Sequence, residues 1–241
     1  MNLSAIIELA YSCEKAKFST LQFLTSYYQL EGKNMFKAAE LAEINIQNFI
    51  GYAQSHIALA TKLNTASIFE NIDSSIVSFN PDYPIIQNIY KGLHKLTWQE
   101  FEEFCGTLLK KCFNAESVNI SQKSNDGGVD FSAKVPFKNM YSLSPYGYVE
   151  LYGQAKKYSG NVGRVDIDKF TAFANRQKRD NQYPAQLFIF CTTSDYIQSA
   201  LDEISKNNFI SLNGQQIAFL VFNQMKSIDF KGDDYLSTFI Q

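Results

Sequence analysis

Val149-Glu150-Leu151-Tyr152-Gly153-Gln154-Ala155-Lys156 alternates, with Val149, Leu151, Gly153 and Ala155 on one side and Glu150, Tyr152, Gln154 and Lys156 on the other. Successive side chains of a strand point to opposite faces, so Gln154 and Lys156 are neighbours on one surface of one strand. Upstream, Asn125-Asp126-Gly127-Gly128-Val129-Asp130-Phe131 sets a glycine pair between two acids and leads into Val-Asp-Phe. That is a tight turn followed by a second strand. If the two strands pair, Asp130 sits beside Gln154 and Lys156. A carboxylate and an amide oxygen are hard ligands of the kind Mg²⁺ takes, in small number and with retained waters. An ammonium beside them suits negative charge on a phosphate or the orientation of a water. The set fits metal-assisted phosphodiester hydrolysis.

At these residues the chain resembles the Mrr-type restriction endonucleases, a branch of the PD-(D/E)xK nuclease superfamily with Gln-x-Lys in place of Glu-x-Lys. Asp130 matches the family's metal-binding acid, and Gln154-Ala155-Lys156 matches Gln-x-Lys. Lys157-Tyr158 is similar to the basic-aromatic continuation. Leu96-Thr97-Trp98-Gln99-Glu100-Phe101-Glu102 resembles the family's first helix, whose Phe-Glu pair supplies another acid; that maps onto Glu102, with Glu103 as the second candidate. The resemblance covers roughly Leu96 to Phe222. It implies a metal site of Asp130, Gln154, the Ala155 carbonyl and Glu102, with Mg²⁺ as the ion and Mn²⁺ able to substitute. Lys156 then stabilises the developing phosphorane or helps deprotonate water. Gln in place of Glu removes one negative charge from that site, which gives Glu102 more weight. Asp126, just before two glycines, reads as a turn residue rather than a ligand. The ordinary alternatives are a snorkelling surface lysine for Lys156 and an exposed helix glutamate for Glu102. Residues 136–148 make the connection between the two strands longer than the family's hairpin and read as an inserted loop.

The 241 residues suffice for one large domain or two small ones. Net charge is −2, so no global cationic field announces nucleic acid. Locally the balance differs: Lys156, Lys157, Arg164, Lys169, Arg176, Lys178 and Arg179 face only Asp166 and Asp168 between Gln154 and Arg179. A solvated helix face explains such a run; beside the motif, phosphate contact explains it better. Cys13, Cys105, Cys112 and Cys191 show no Cys-x-x-Cys spacing, and Cys105 and Cys112 read as core thiols of one helix. His56 and His94, both outside the motif region, argue against histidine-built zinc sites. Neither a signal peptide nor a membrane span is visible, and a cytoplasmic location is the simplest expectation.

In chain order, residues 3–30 predict one helix carrying Ile6, Leu9, Ala10, Cys13, Ala16, Leu21, Leu24 and Tyr28 on its apolar face, with Phe18 and Phe23 off that stripe. Gly32 ends it. Met35 to Leu63 predicts a second helix, with Phe36, Ala39, Ala42, Ile46, Phe49, Ile50, Ala53, Ile57 and Ala60 as its stripe. This describes an all-α N-terminal domain over 1–80, although Ile76 to Phe79 also suits a short strand. Asn80-Pro81-Asp82-Tyr83-Pro84 opens a linker over 81–95, and a nuclease-like domain fills 96–241. Thr97 and Glu100 form a capping box for a helix through Cys112. Strands follow at 117–121, 129–135, 148–156, 187–191 and 210–212, with helices at 166–176 and 196–206; Thr192-Thr193-Ser194-Asp195 supplies the capping types for the last helix. The order describes an α/β fold, a mixed-sheet restriction-endonuclease-like core flanked by helices.

The leading functional expectation is a metal-dependent endonuclease on double-stranded DNA, serving restriction or defence against foreign DNA. A junction-resolving or repair nuclease is one alternative. A catalytically inactive nucleic-acid-binding module is another, with the N-terminal helices docked on a partner protein. Cutting both strands calls for two sites, hence a homodimer, and no membrane is expected to take part.

Overall fold

The computed structural model describes residues 1–12, 16–121, 128–137, 147–180, 185–230 and 234–240. Cys13, the Asn125-Asp126-Gly127 part of the turn and most of the 136–148 insertion lie outside the described residues. The chain divides into two compact units, Met1–Ile85 and Ile86–Gln241.

The first unit contains α1 (Leu3–Tyr11), β1 (Lys17–Ser19), α2 (Thr20–Leu30), α3 (Met35–Leu63), β2 (Phe69–Ile72) and β3 (Ile76–Phe79). It is therefore not all-helical: the strands form a sheet in the order β1-β3-β2. The single helix expected over 3–30 is interrupted because Phe18 pairs with Val77 across β1 and β3. Phe18 and Phe23 fall off the helical stripe for the same reason. Their rings meet each other at 5.6 Å and meet Phe79 at 5.8 and 4.8 Å. Gly32, at φ +82°, is the left-handed residue just past the end of α2. On α3 the buried residues are Ala38, Ala42, Phe49, Ala53 and Ala60. Phe36 is 91% exposed, because two residues before Ala38 is the far side of the helix.

The expected linker at 81–95 is instead α4 (Tyr83–Leu93). Pro84 lies in its first turn, where a missing N–H leaves no hydrogen bond unmade. The second unit continues with α5 (Trp98–Cys112), β4 (Glu116–Ile120), β5 (Phe131–Pro136), β6 (Tyr148–Lys156), α6 (Arg164–Asp180), β7 (Ala185–Thr192), α7 (Gln198–Lys206), β8 (Ile210–Leu212) and α8 (Gly214–Ser227). The sheet order is β4-β5-β6-β7-β8. β4, β5 and β6 are antiparallel neighbours, whereas β7 and β8 continue parallel to β6, so the sheet is mixed as expected. The Thr97–Glu100 capping box is formed in both directions. Helix α8 lies beyond the sequence expectations; Asn213 and Gln216 form its capping box. Phe188 and Phe190 pack against Ile167, Phe170, Ala200 and Ile204 of α6 and α7. By strand alternation Ile189 and Cys191 face the other way, where Cys191 meets the buried Cys105 of α5. Cys112, expected in the core, is only half-buried. Among the described residues, no helix is long and apolar enough to cross a membrane.

Candidate active site

The ladder between β5 and β6 runs from Pro136↔Tyr148 to Phe131↔Gly153. Its last rung is possible because Gly153 has no side chain: a Cβ there would lie 1.9 Å from a carbon of the Phe131 ring. Asp130 immediately precedes β5, with its backbone held on both sides. Its N–H donates to the Gly153 carbonyl at 2.9 Å, and its carbonyl accepts from Ser121 N–H at 2.8 Å. Gly128, at φ +101°, brings the chain in through a conformation that favours glycine.

From that position Asp130 Oδ2 accepts the Ala155 N–H at 2.8 Å and lies 4.0 Å from Lys156 Nζ. A residue's N–H and C=O leave the same edge of a strand, so the Ala155 carbonyl also emerges on the β5 side, beyond the last rung. Gln154 is buried, and its Oε1 has no hydrogen-bond partner among the described residues. An unmet buried acceptor of this kind costs about 1–3 kcal/mol unless something fills it. Burial pushes the Asp130 carboxyl up, while the Ala155 N–H and the Lys156 ammonium pull it back. Glu102 on α5 is pushed up to about 7, first by burial and then by the charge of Asp130, with Lys156 opposing. Glu102 is half-buried and senses both site residues; Glu103 is exposed. The structure thus brings Asp130, Ala155 and Lys156 together, with Glu102 within electrostatic reach. A carboxyl whose proton affinity is raised by burial and by a neighbouring carboxylate marks a place where added positive charge is favourable.

The basic run is only partly available to a ligand. Arg164 is tied to the buried Glu203 at 3.2 Å and to Asp168 at 3.5 Å. Lys178 lies over the Phe188 and Phe209 rings, and Arg179 pairs with Asp180. The exposed Arg179–Asp180 pair is weak and exchangeable; the Arg164–Glu203 pair joins α6 to α7. Lys157 and Lys169 make no such contacts among the described residues.

Residues 93–221 match the Mrr_cat family of restriction endonucleases, a match over more than half of the chain. The chain belongs to the Mrr-type restriction endonuclease family. No curated protein sequence matches it. Among solved structures, the MspJI restriction endonuclease in complex with a 27-mer oligonucleotide is 19% identical at a TM-score of 0.48, over 66% of this chain and 35% of that one. The DNA modification-dependent restriction endonuclease AspBHI is 19% identical at 0.45, over 64% and 38%. The Mrr-type chain spans little more than a third of the length of either.

Loss of Glu102 is expected to change how stability depends on pH. A carboxyl whose folded value is raised favours the folded state fully below its ordinary value and loses that contribution as pH rises through the folded value. For Glu102 the window runs from about 4.5 to about 7. Metal-free protein should therefore lose stability across that interval, by at most about 1 kcal/mol after solvent screening. Glu102→Gln should flatten that part of a melting-temperature profile, leaving the smaller contribution of Asp130 in the same direction. A profile as steep in Glu102→Gln as in the parent chain would contradict the assignment.

Proposed function

We propose that the second unit hydrolyses phosphodiester bonds of double-stranded DNA with the help of a divalent cation, Mg²⁺ first and Mn²⁺ as a substitute, in restriction or defence against foreign DNA. The observation that carries this reading is the Gln154 Oε1, without a partner among the described residues and one residue before the N–H that holds Asp130. Among the described residues no cluster of three or more His, Cys, Asp or Glu is present, so a cation must rely on mixed oxygen donors. Asp130, Gln154 Oε1, the Ala155 carbonyl and Glu102 would hold it, a hard-oxygen set suited to Mg²⁺. Bound there, the cation would supply positive charge to a phosphate oxygen and to an attacking water.

The chain's own residues do the rest. Ala155 N–H fixes which oxygen of Asp130 faces the strand. Lys156 places an ammonium where the phosphate gains charge in the transition state. Glu102, whose charge burial and Asp130 disfavour in the metal-free chain, would be held ionised by the cation as a second carboxylate. Lys157 and Lys169, from the same basic run, are cations available to backbone phosphates. A second copy of the chain would supply the second site for a double-strand cut.

Purified full-length chain incubated with supercoiled plasmid is expected to nick or linearise it in Mg²⁺ and to leave it intact in EDTA. Binding that persists in EDTA without cleavage under Mg²⁺ or Mn²⁺ would point to an inactive binding module instead. Preferential cutting of four-way junctions over linear duplex would point to a resolvase.

A further inference from the structure

Thr192 closes β7 and Thr193 follows it, and both side chains are fully buried. Their hydroxyls do not cap α7, whose preceding residue is Ile197 and makes no side-chain cap. They turn instead to the segment that carries Lys156. Thr192, in register with Lys156, donates from Oγ1 to the Lys156 carbonyl at 2.9 Å. Thr193 N–H reaches the same carbonyl at 3.3 Å. Thr193 Oγ1 accepts the Tyr158 N–H at 3.2 Å and donates to the Tyr158 carbonyl at 3.1 Å. One hydroxyl thus performs the donor and acceptor roles that a further strand residue would perform. Ser194 secures the pair: its N–H donates to Thr192 Oγ1 at 3.2 Å, and its carbonyl accepts Gly214 N–H at the start of α8. Gly214 lets that helix abut the threonines, since a Cβ there would lie 2.2 Å from the Thr193 carbonyl oxygen.

Lys156 needs such support. It is the last residue of β6, where a strand end otherwise frays. Its side chain is 26% exposed, and its ion pair with Asp130 sits at the 4.0 Å limit. A pair of that kind holds an ammonium weakly, so the placement of Nζ depends on the backbone beneath it. We propose that Thr192 and Thr193 are positioning residues for cleavage: a buried hydroxyl clamp that fixes the Lys156–Tyr158 backbone and so keeps the Lys156 ammonium beside Asp130. This rests on the nuclease reading above.

The test uses Val and Ser variants of each threonine in the full chain. Val keeps the shape and removes the hydroxyl; Ser keeps the hydroxyl. Thr192→Val and Thr193→Val are expected to cut plasmid about 10- to 100-fold more slowly in single turnover, as a misplaced catalytic group does, with duplex affinity unchanged. Thr192→Ser and Thr193→Ser are expected to recover most of the rate. Amide exchange at Tyr158 should accelerate in Thr193→Val and stay slow in Thr193→Ser. Val variants that cut at the parental rate would overturn the proposal, as would Ser variants as slow as Val or a rate loss matched by an equal loss of affinity. Should Thr192→Val not fold, the Thr193 pair decides alone, because among the described residues that hydroxyl hydrogen-bonds only Tyr158. If the parent chain cuts no DNA, the nuclease reading fails, while unchanged Tyr158 exchange in Thr193→Val would sink the clamp independently.

Discussion

Lys156→Ala is expected to bind duplex DNA and cleave it about 100- to 1000-fold more slowly than the parent chain. That is the loss seen when one preorganised charge or donor aimed at a transition state is removed. The fold should survive. The side chain is partly exposed and its ion pair with Asp130 is long, so its contribution to stability is no more than about 1 kcal/mol. The strand continues to pair through its backbone along the whole β6–β7 register, from Val149↔Ala185 to Lys156↔Thr192. Removing the ammonium also leaves Asp130 with one fewer opposing charge, so its carboxyl rises further toward neutral pH. Lys206→Ala is the control, because Lys206 is exposed in the last turn of α7 and makes no contact with Asp130 among the described residues. Single-turnover rates and melting temperatures of both variants check this; Lys156→Ala within a fewfold of the parent would remove the lysine from the chemistry.

Gly153→Ala is expected to be among the most destabilising single-methyl changes in the chain. The added Cβ would sit 1.9 to 2.6 Å from three carbons of the Phe131 ring. That ring is almost wholly buried, so it has no open side to move into. Overpacking of this kind costs about 1–3 kcal/mol, and a rigid aromatic neighbour places this site at the upper end. In a domain of this size about 3 kcal/mol lowers the melting temperature by about 6–12 °C. The damage reaches the site as well, because Phe131↔Gly153 is the rung that delivers Asp130 to Ala155. Combining Gly153→Ala with Phe131→Leu should relieve part of the clash, so the double variant should lose less than the sum of the two singles. Additive losses would show that the ring and the strand are not in opposition. Thermal melts of the three variants decide it.

The sequence resolved what depends on near neighbours. Period-two alternation placed a strand over 148–156, and β6 has those bounds. Thr97 and Glu100 announced a helix start, and the box is formed. The order of acid, glycine pair and Gln-x-Lys identified the family before any coordinates. Where two local readings competed, distant partners chose between them. Whether 3–30 was one helix turned on Val77, far along the chain from Phe18. Pro84 read as a break because nothing nearby shows that it opens a helix. The box before α8 was present in Asn213 and Gln216, but it followed so closely on β8 that it passed as the end of a strand.

By itself, then, the chain determined the strands of the second unit, its family and the residue types of the candidate site, because alternation and capping act within a few residues. Tertiary structure alone decided which groups meet. It half-buried Glu102 within electrostatic reach of Asp130 and left Glu103 exposed, bound Arg164 to Glu203 instead of leaving it free for phosphate, and turned the Thr192 and Thr193 hydroxyls toward Lys156 and Tyr158 instead of toward a helix end. Each of those choices joins side chains from different elements, and burial decides which polar groups must find a partner there.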